Sequence, residues 1–154
     1  MTVSKCFYNW QNPTKADYVK FRKASPNLVE LCDWLVKRFG GMKIGLFQKR
    51  PIRGGTQPSS HSFGAALDWR YPSRERAKKA MRFLVKYSDE LGVQAIHDYV
   101  GGTIWRAGRG WKAQKPDGHG MGQPWATWLH IEVCRPKWGD ARPVVLKVGE
   151  VNLP

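Results

Sequence analysis

Two stretches of apolar residues at helical spacing, each ended by glycine, limit the folds open to this chain. The first follows Ser25-Pro26, a pair that suits a helix cap and the first helical position. The second follows Ser73 and carries alanine, methionine and leucine along one face. These patterns predict two main helices, at about 26–39 and 74–91. A helix with one apolar face has to pack on another layer, so we expect a sheet beside them.

Short apolar segments between loops rich in glycine and proline are typical of strands in a small sheet. The candidates are residues 42–47, 65–70, 93–100, 103–107 and 128–133. Gly101-Gly102 indicates a hairpin turn between two of them. Two loops are predicted, at residues 49–60 and 108–124. The segment VVLKV near the end is predicted either to form a strand or to wrap around the rest of the domain. The expected fold is therefore α+β, with a small, mainly antiparallel sheet backed by two main helices.

Length and composition favour one domain, because 154 residues with 42% hydrophobic content can build one core. We expect a single domain over 1–154, with 1–24 as an N-terminal strap and 136–154 as a C-terminal extension. There is no run of about 18 apolar residues, which excludes a membrane-spanning helix. The opening residues lack the apolar stretch of a secretory signal, so synthesis in the cytoplasm is expected. Three cysteines without CxxC spacing predict reduced, mostly buried thiols.

The charge balance favours a polyanionic partner. Twenty-six Lys and Arg against twelve Asp and Glu leave a net charge of +14. Nucleic acid, an anionic membrane and the bacterial cell wall all qualify. The basic residues are scattered and no known nucleic-acid-binding motif accompanies them, so specific nucleic-acid recognition is weakly supported.

The segment SSHSFGAALD, residues 59–68, places one imidazole and one carboxylate seven positions apart among small residues. A turn at Gly64 would bring His61 and Asp68 together, and His130 lies in a strand candidate that could lie beside them. Two imidazoles and a carboxylate are a common ligand set for catalytic zinc, which leaves a fourth position to water. The alternative is that these are hydrogen-bonded structural residues, and the spacing alone leaves both interpretations open.

The same segment, taken as SxHxxGxAxD from Ser59 to Asp68, resembles the signature of the M15 (D-Ala-D-Ala carboxypeptidase-like) zinc peptidases. RPIRGG, residues 50–55, is similar to the loop that precedes this signature in peptidoglycan peptidases of phages infecting actinobacteria. VQAIHDYVGGTIW is similar to the strand pair that follows it, and His130 in WLHIEV looks like the third metal ligand. The resemblance covers about residues 28–135 and leaves the strap and the C-terminal extension outside it.

This resemblance implies an M15-like fold and zinc-dependent hydrolysis of an amide bond in a peptidoglycan stem peptide or a related D-amino-acid peptide. The implied Zn²⁺ ligands are His61, Asp68 and His130. Ser59 would help to hold the substrate. Arg50, favoured over Arg53, would face the oxyanion or a substrate carboxylate, and Arg53 is then assigned to substrate binding. Independently of the resemblance, Trp128 is a candidate pocket wall, since aromatic rings often contact sugar and peptide faces.

The general base departs from the family pattern. Members generally have Asp or Glu three residues before the last histidine ligand, and this chain has Thr127 there. Glu132 is the nearest substitute, because strand positions two apart point to the same face; its alternative role is a surface or supporting carboxylate. His119, in the DGHGMG loop, is a further candidate for base or substrate contact. His97 beside Asp98 is interpreted as structural or supporting.

Two functions follow from these observations. The first is a zinc-dependent peptidoglycan peptidase of a bacteriophage, acting on the wall after release from the host or as part of the virion. Its positive charge would hold it on anionic wall polymers, an attraction that salt weakens. The alternative, favoured by Thr127, is a virion protein of the tail that contacts the wall or other virion proteins and has weak or lost catalysis. Nucleic-acid binding rests on net charge only.

Overall fold

The computed structural model describes residues 6–154. Over this range the chain forms an α+β fold with five α-helices and a six-stranded antiparallel sheet, which confirms the predicted fold class. The helices are α1 (Lys15–Lys20), α2 (Pro26–Phe39), α3 (Arg74–Lys86), α4 (Ser88–Leu91) and α5 (Val144–Val148). The strands are β1 (Met42–Gly45), β2 (Ala66–Arg70), β3 (Val93–Asp98), β4 (Thr103–Arg106), β5 (Gly110–Ala113) and β6 (Trp128–Val133). Their order is β1-β2-β6-β3-β4-β5, so the last strand in the chain lies at the centre of the sheet.

The helices follow their sequence signals at most ends. The Ser25 side chain accepts a hydrogen bond from the backbone N–H of Leu28, and α2 ends at Gly40 with a φ of 83°. The predicted helix over 74–91 is instead two helices, because Tyr87 leaves the helical conformation between α3 and α4. The residue that follows, Ser88, is a weak helix former, which makes this an easy place for the break.

One cluster of buried apolar side chains lies between the helices and one face of the sheet. The described part of the strap packs on this cluster. Its Trp10 is 1% exposed and its indole N–H donates to the carbonyl of Val133. The amide of Gln94 accepts from the N–H of Tyr8 and donates to its carbonyl. Residues 1–5 of the strap lie outside the described residues.

The cysteine prediction is wrong for two of the three residues. Cys6 and Cys134 form a disulfide that spans 128 positions, while Cys32 is a buried free thiol. The bond forms because the strap runs back to the end of β6 and lays its first described residues against it. The number of cysteines in a sequence does not reveal a disulfide that depends on where the strap lies in the folded protein.

Three local predictions also need correction. The first strand ends at Gly45 rather than at residue 47. The predicted loop over 108–124 contains β5, which pairs with β4 after glycines 108 and 110 turn the chain with positive φ. VVLKV is the helix α5 and not a strand. Within residues 6–154, no helix is both long enough and apolar enough to cross a membrane, as predicted.

Gly64 positions the segment that carries the proposed site. It ends a short 3-10 helix, Ser60–Phe63, in the left-handed conformation (φ 63°), and the chain then enters β2. A Cβ at this position would lie 1.8 Å from the backbone oxygen of Lys23 in the strap.

We therefore expect Gly64→Ala to lower the free energy of unfolding by about 2–4 kcal/mol, from the left-handed φ and the overpacking together. Gly102→Ala is the matched control, because Gly102 has a φ of 67° but no atom beyond its two chain neighbours lies within 4 Å of the place its methyl group would occupy. It should lose about 1–2 kcal/mol, from the φ angle alone. Urea denaturation measures both values, and equal losses would contradict the close contact with the strap.

Candidate functional site

The candidate site lies on the face of the sheet opposite the helices. The central strands bring Asp68 of β2, His130 of β6 and His97 of β3 into one row across the sheet, since each is the register partner of the next. Directly opposed residues point to the same face. The 3-10 helix before β2 adds His61 from above. Four side chains from three separate parts of the chain therefore meet in one place.

The three predicted metal ligands are within reach of one ion. The Nε2 atom of His61 lies 3.1 Å from Oδ2 of Asp68, and Nδ1 of His130 lies 3.2 Å from Oδ1 of the same carboxylate. One ligand atom from each residue lies within 4.8 Å of the others. His61 is 1% exposed and His130 is 7% exposed. Asp68 is more open and faces the cavity above.

A hydrogen bond on the far side of each ring directs the other ring nitrogen at Asp68. The Nδ1 atom of His61 lies 2.8 Å from the carbonyl oxygen of Leu46, which can only accept, so Nδ1 carries the proton. Its buried Nε2 then presents a lone pair and makes no hydrogen bond. In His130, Nε2 lies 2.8 Å from Oε2 of Glu132, which leaves Nδ1 facing Asp68. Two ring nitrogens and a carboxylate converge, as the ligands of a metal ion do.

The carboxylates on both sides of His130 control its charge in the metal-free site. Burial alone would lower the pKa of His130, but hydrogen bonds to Asp68 and Glu132 outweigh it and raise the pKa to about 9. Burial would raise the pKa of Asp68, but the hydrogen bond with His130 and the closeness of both imidazole rings hold it well below its ordinary value. At neutral pH the carboxylate is therefore charged and His130 is a cation. A metal ion that binds Nδ1 has to displace a proton, as is general for histidine ligands.

A second group of metal-ligand type is formed by His97, His130 and Glu132. Nε2 of His97 lies 4.0 Å from Oε2 of Glu132. The Glu132 carboxylate already has three partners, because it accepts hydrogen bonds from His130 Nε2, Ser60 Oγ and Gln94 Nε2. Burial and the charge of His130 lower the pKa of His97 to about 3, so this ring is neutral. Hydrogen bonding accounts for His130 and Glu132 in this group without an ion, and Glu132 holds the ring of His130 in place for the first group.

A cavity of about 520 Å³ opens above the metal-ligand group. The sequence-predicted substrate residues all line it: Arg50, Arg53, Ser59 and Trp128. The side chain of Arg53 donates to the carbonyl of His119 at 2.9 Å and so joins the two loops at the cavity mouth. Ser59 is 4% exposed, and its Oγ accepts from the N–H of His61, which caps the 3-10 helix. Arg50 is held within its own loop by hydrogen bonds to Gln48 and Pro51.

Sequence reasoning missed three residues of the site. Tyr99 lines the cavity, and its pKa is raised by burial and by the negative charge of Asp68. The period-2 pattern in VQAIHDYV was a signal that could have placed Tyr99 on the same side as His97. Ser60 and Gln94 bind Glu132, and nothing in the sequence singled them out.

No family model matches this chain, and no curated protein and no solved structure shows significant similarity to it. The resemblance to M15 peptidases therefore rests on the motif residues and stays a prediction. The convergence of His61, Asp68 and His130 is a separate observation, which depends on the fold alone.

Proposed function

We propose that this chain is a zinc-dependent peptidase that hydrolyses an amide bond in the stem peptide of bacterial peptidoglycan. The observation that carries the proposal is the buried Nε2 atom of His61, which has no hydrogen-bond partner and is directed at Asp68 beside Nδ1 of His130. Two imidazoles and one carboxylate, of which Asp68 and His130 line the open cavity, match the ligand pattern of catalytic zinc, in which a fourth position stays open.

The residues of the site then take separate roles. His61, Asp68 and His130 hold the ion, which when bound lowers the pKa of a ligated water towards ~7 and polarises a carbonyl group. The carbonyl of Leu46 and the carboxylate of Glu132 fix the orientation of the two rings.

The cavity wall supplies the groups that would bind the substrate. The guanidinium of Arg50 stabilises negative charge that develops in the transition state. Arg53 binds anionic parts of the peptide from the cavity mouth. Ser59 offers a hydroxyl, and Trp128 offers an apolar face for packing.

Glu132 is the predicted general base, and its surroundings bear on that role. It is bonded to the ring nitrogen of His130 that faces away from Asp68. This position favours orientation of His130 over removal of a proton from water. The assignment of Glu132 as base stays a prediction.

This same observation favours one alternative function. Thr127 stands where the resemblance places an acidic base, and the carboxylate of Glu132, the substitute candidate, is held by three hydrogen bonds. A chain that keeps the zinc site without an efficient base would be a wall-contacting virion protein with weak catalysis. General base catalysis typically contributes ~10²–10⁴-fold, which sets the scale of the difference.

Digestion of purified cell walls by the zinc-loaded chain tests both functions. We expect new amino termini, with mass spectrometry of the fragments identifying the bond. Thr127→Asp is the informative variant, and a gain of about 10²-fold or more would assign the chain to the weakly catalytic alternative. The peptidase proposal is wrong if neither protein releases amino termini although both retain zinc.

A further inference from the structure

A row of four cations runs along one face of α3. They are spaced four residues apart, which puts them on one side of a helix: Arg74, Lys78, Arg82 and Lys86. Arg74 is paired with the buried carboxylate of Asp98 at 2.9 Å. Among the described residues, no carboxylate lies within ion-pair distance of the other three. Like charges at this spacing destabilise a helix by about 0.2–0.5 kcal/mol per pair. The repulsion within the row therefore destabilises α3 when no anionic partner is bound.

This row borders a groove of about 460 Å³ between α3 and the outer strands of the sheet. Its floor is apolar, formed by Met81 and Val85, and its far wall is the indole of Trp111, which is 40% exposed. Trp111 on β5 is the register partner of the buried Trp105 on β4. Both point to the helix side of the sheet, where the helices stop short of the edge strand.

The groove lies on the opposite face of the sheet from the candidate metal site. Ile104, the neighbour of Trp105 on β4, lines the metal-site cavity, and strand neighbours point to opposite faces. A polymer in the groove would leave the cavity open.

The chemistry of the groove favours a charged saccharide over a nucleic acid. Single-stranded nucleic acid is held by several aromatic rings in succession, and this groove has one, Trp111. Duplex DNA is read by an element that enters a groove of the duplex, whereas α3 packs flat against the sheet with its apolar face buried. A sugar ring has an apolar C–H face that packs on one indole, and its anionic substituents pair with a row of cations.

We propose that the groove between α3 and β5 binds an anionic polysaccharide of the bacterial wall, with Trp111 against a sugar ring and Lys78, Arg82 and Lys86 on its negative groups. This inference rests on the proposed function for its choice of polymer. Binding in the groove keeps the protein on the cell wall while the candidate metal site, on the opposite face of the sheet, hydrolyses the stem peptide.

Co-sedimentation with purified cell walls, from which an equilibrium constant is obtained, tests the groove. We expect the triple variant K78Q/R82Q/K86Q to bind about tenfold more weakly than wild type, since three exposed charges are lost from one contact. The matched control, K37Q/R38Q/K43Q, loses the same charge from exposed positions on α2 and β1 and should stay within about twofold. Trp111→Ala should weaken binding about fivefold without any change in charge.

Two results would overturn the proposal. One is equal weakening by the two triple variants, because net charge alone would then explain binding. The other is loss of single-stranded DNA binding, but not of wall binding, in the groove variants. Hydrolysis of a soluble stem peptide is measured beside these assays and should be the same in wild type and groove variants. Absence of hydrolysis in wild type would reject the peptidase function without touching the result on the groove.

Discussion

His61→Ala should lower the rate of peptide hydrolysis at least about 10³-fold, because the proposed function requires a zinc ion held by all three ligands. His61 is fully buried and its Nε2 has no other partner, so its loss removes a ligand and little else that the site uses. Removal of zinc from wild type by a chelator should lower the rate to the same level. Added zinc should then restore wild type but not the variant.

Unfolding midpoints in urea are the control for this experiment, because a buried histidine also contributes to packing. The comparison is valid where the variant is fully folded at the assay temperature. A folded His61→Ala variant with more than a tenth of the wild-type rate would show that this residue does not serve the reaction.

Glu132→Gln should weaken zinc binding about 10–100-fold, the usual effect of losing the carboxylate behind a metal-binding histidine. The variant keeps the shape of the side chain but loses the charge that holds the Nε2 proton of His130. Competition with a chromogenic chelator measures the affinity. Glu150→Gln, at an exposed carboxylate near the C-terminus, is the matched control and should bind zinc like wild type.

The same variant separates the two roles of Glu132 when zinc is saturating. A fall in kcat of about 10²-fold or more supports the predicted role as general base. An unchanged kcat with weakened zinc affinity rejects that role and leaves orientation of His130. Unchanged zinc affinity would contradict the orienting contact.

The periodic spacing of apolar residues in the sequence was sufficient to predict the main helices and strands. The helix α2 begins and ends where its cap and glycine signals lie, and β6 matches the alternating segment WLHIEV. The metal-ligand group could also be predicted from the sequence, because a turn at Gly64 and two adjacent strands are enough to join His61, Asp68 and His130. Local patterns carry this information directly.

The remaining features depend on contacts between distant segments. The disulfide of Cys6 with Cys134 and the bond of Tyr8 to Gln94 exist only because the strap returns to the sheet. The strand β5 has few residues typical of strands and forms by pairing with β4, an override of local propensity by tertiary context. The side-chain amide of Gln94 donates a hydrogen bond to Glu132, but no pattern in the sequence distinguishes this glutamine from the others.

The number of zinc ions that one chain retains after exhaustive dialysis tests the central claim most directly. About one zinc ion per wild-type chain is expected, and close to none for folded His61→Ala, because the site needs both ring nitrogens and the Asp68 carboxylate. Retention of the same amount of zinc by wild type and by folded His61→Ala, or of none by wild type, would contradict the metal site on which the proposed function depends.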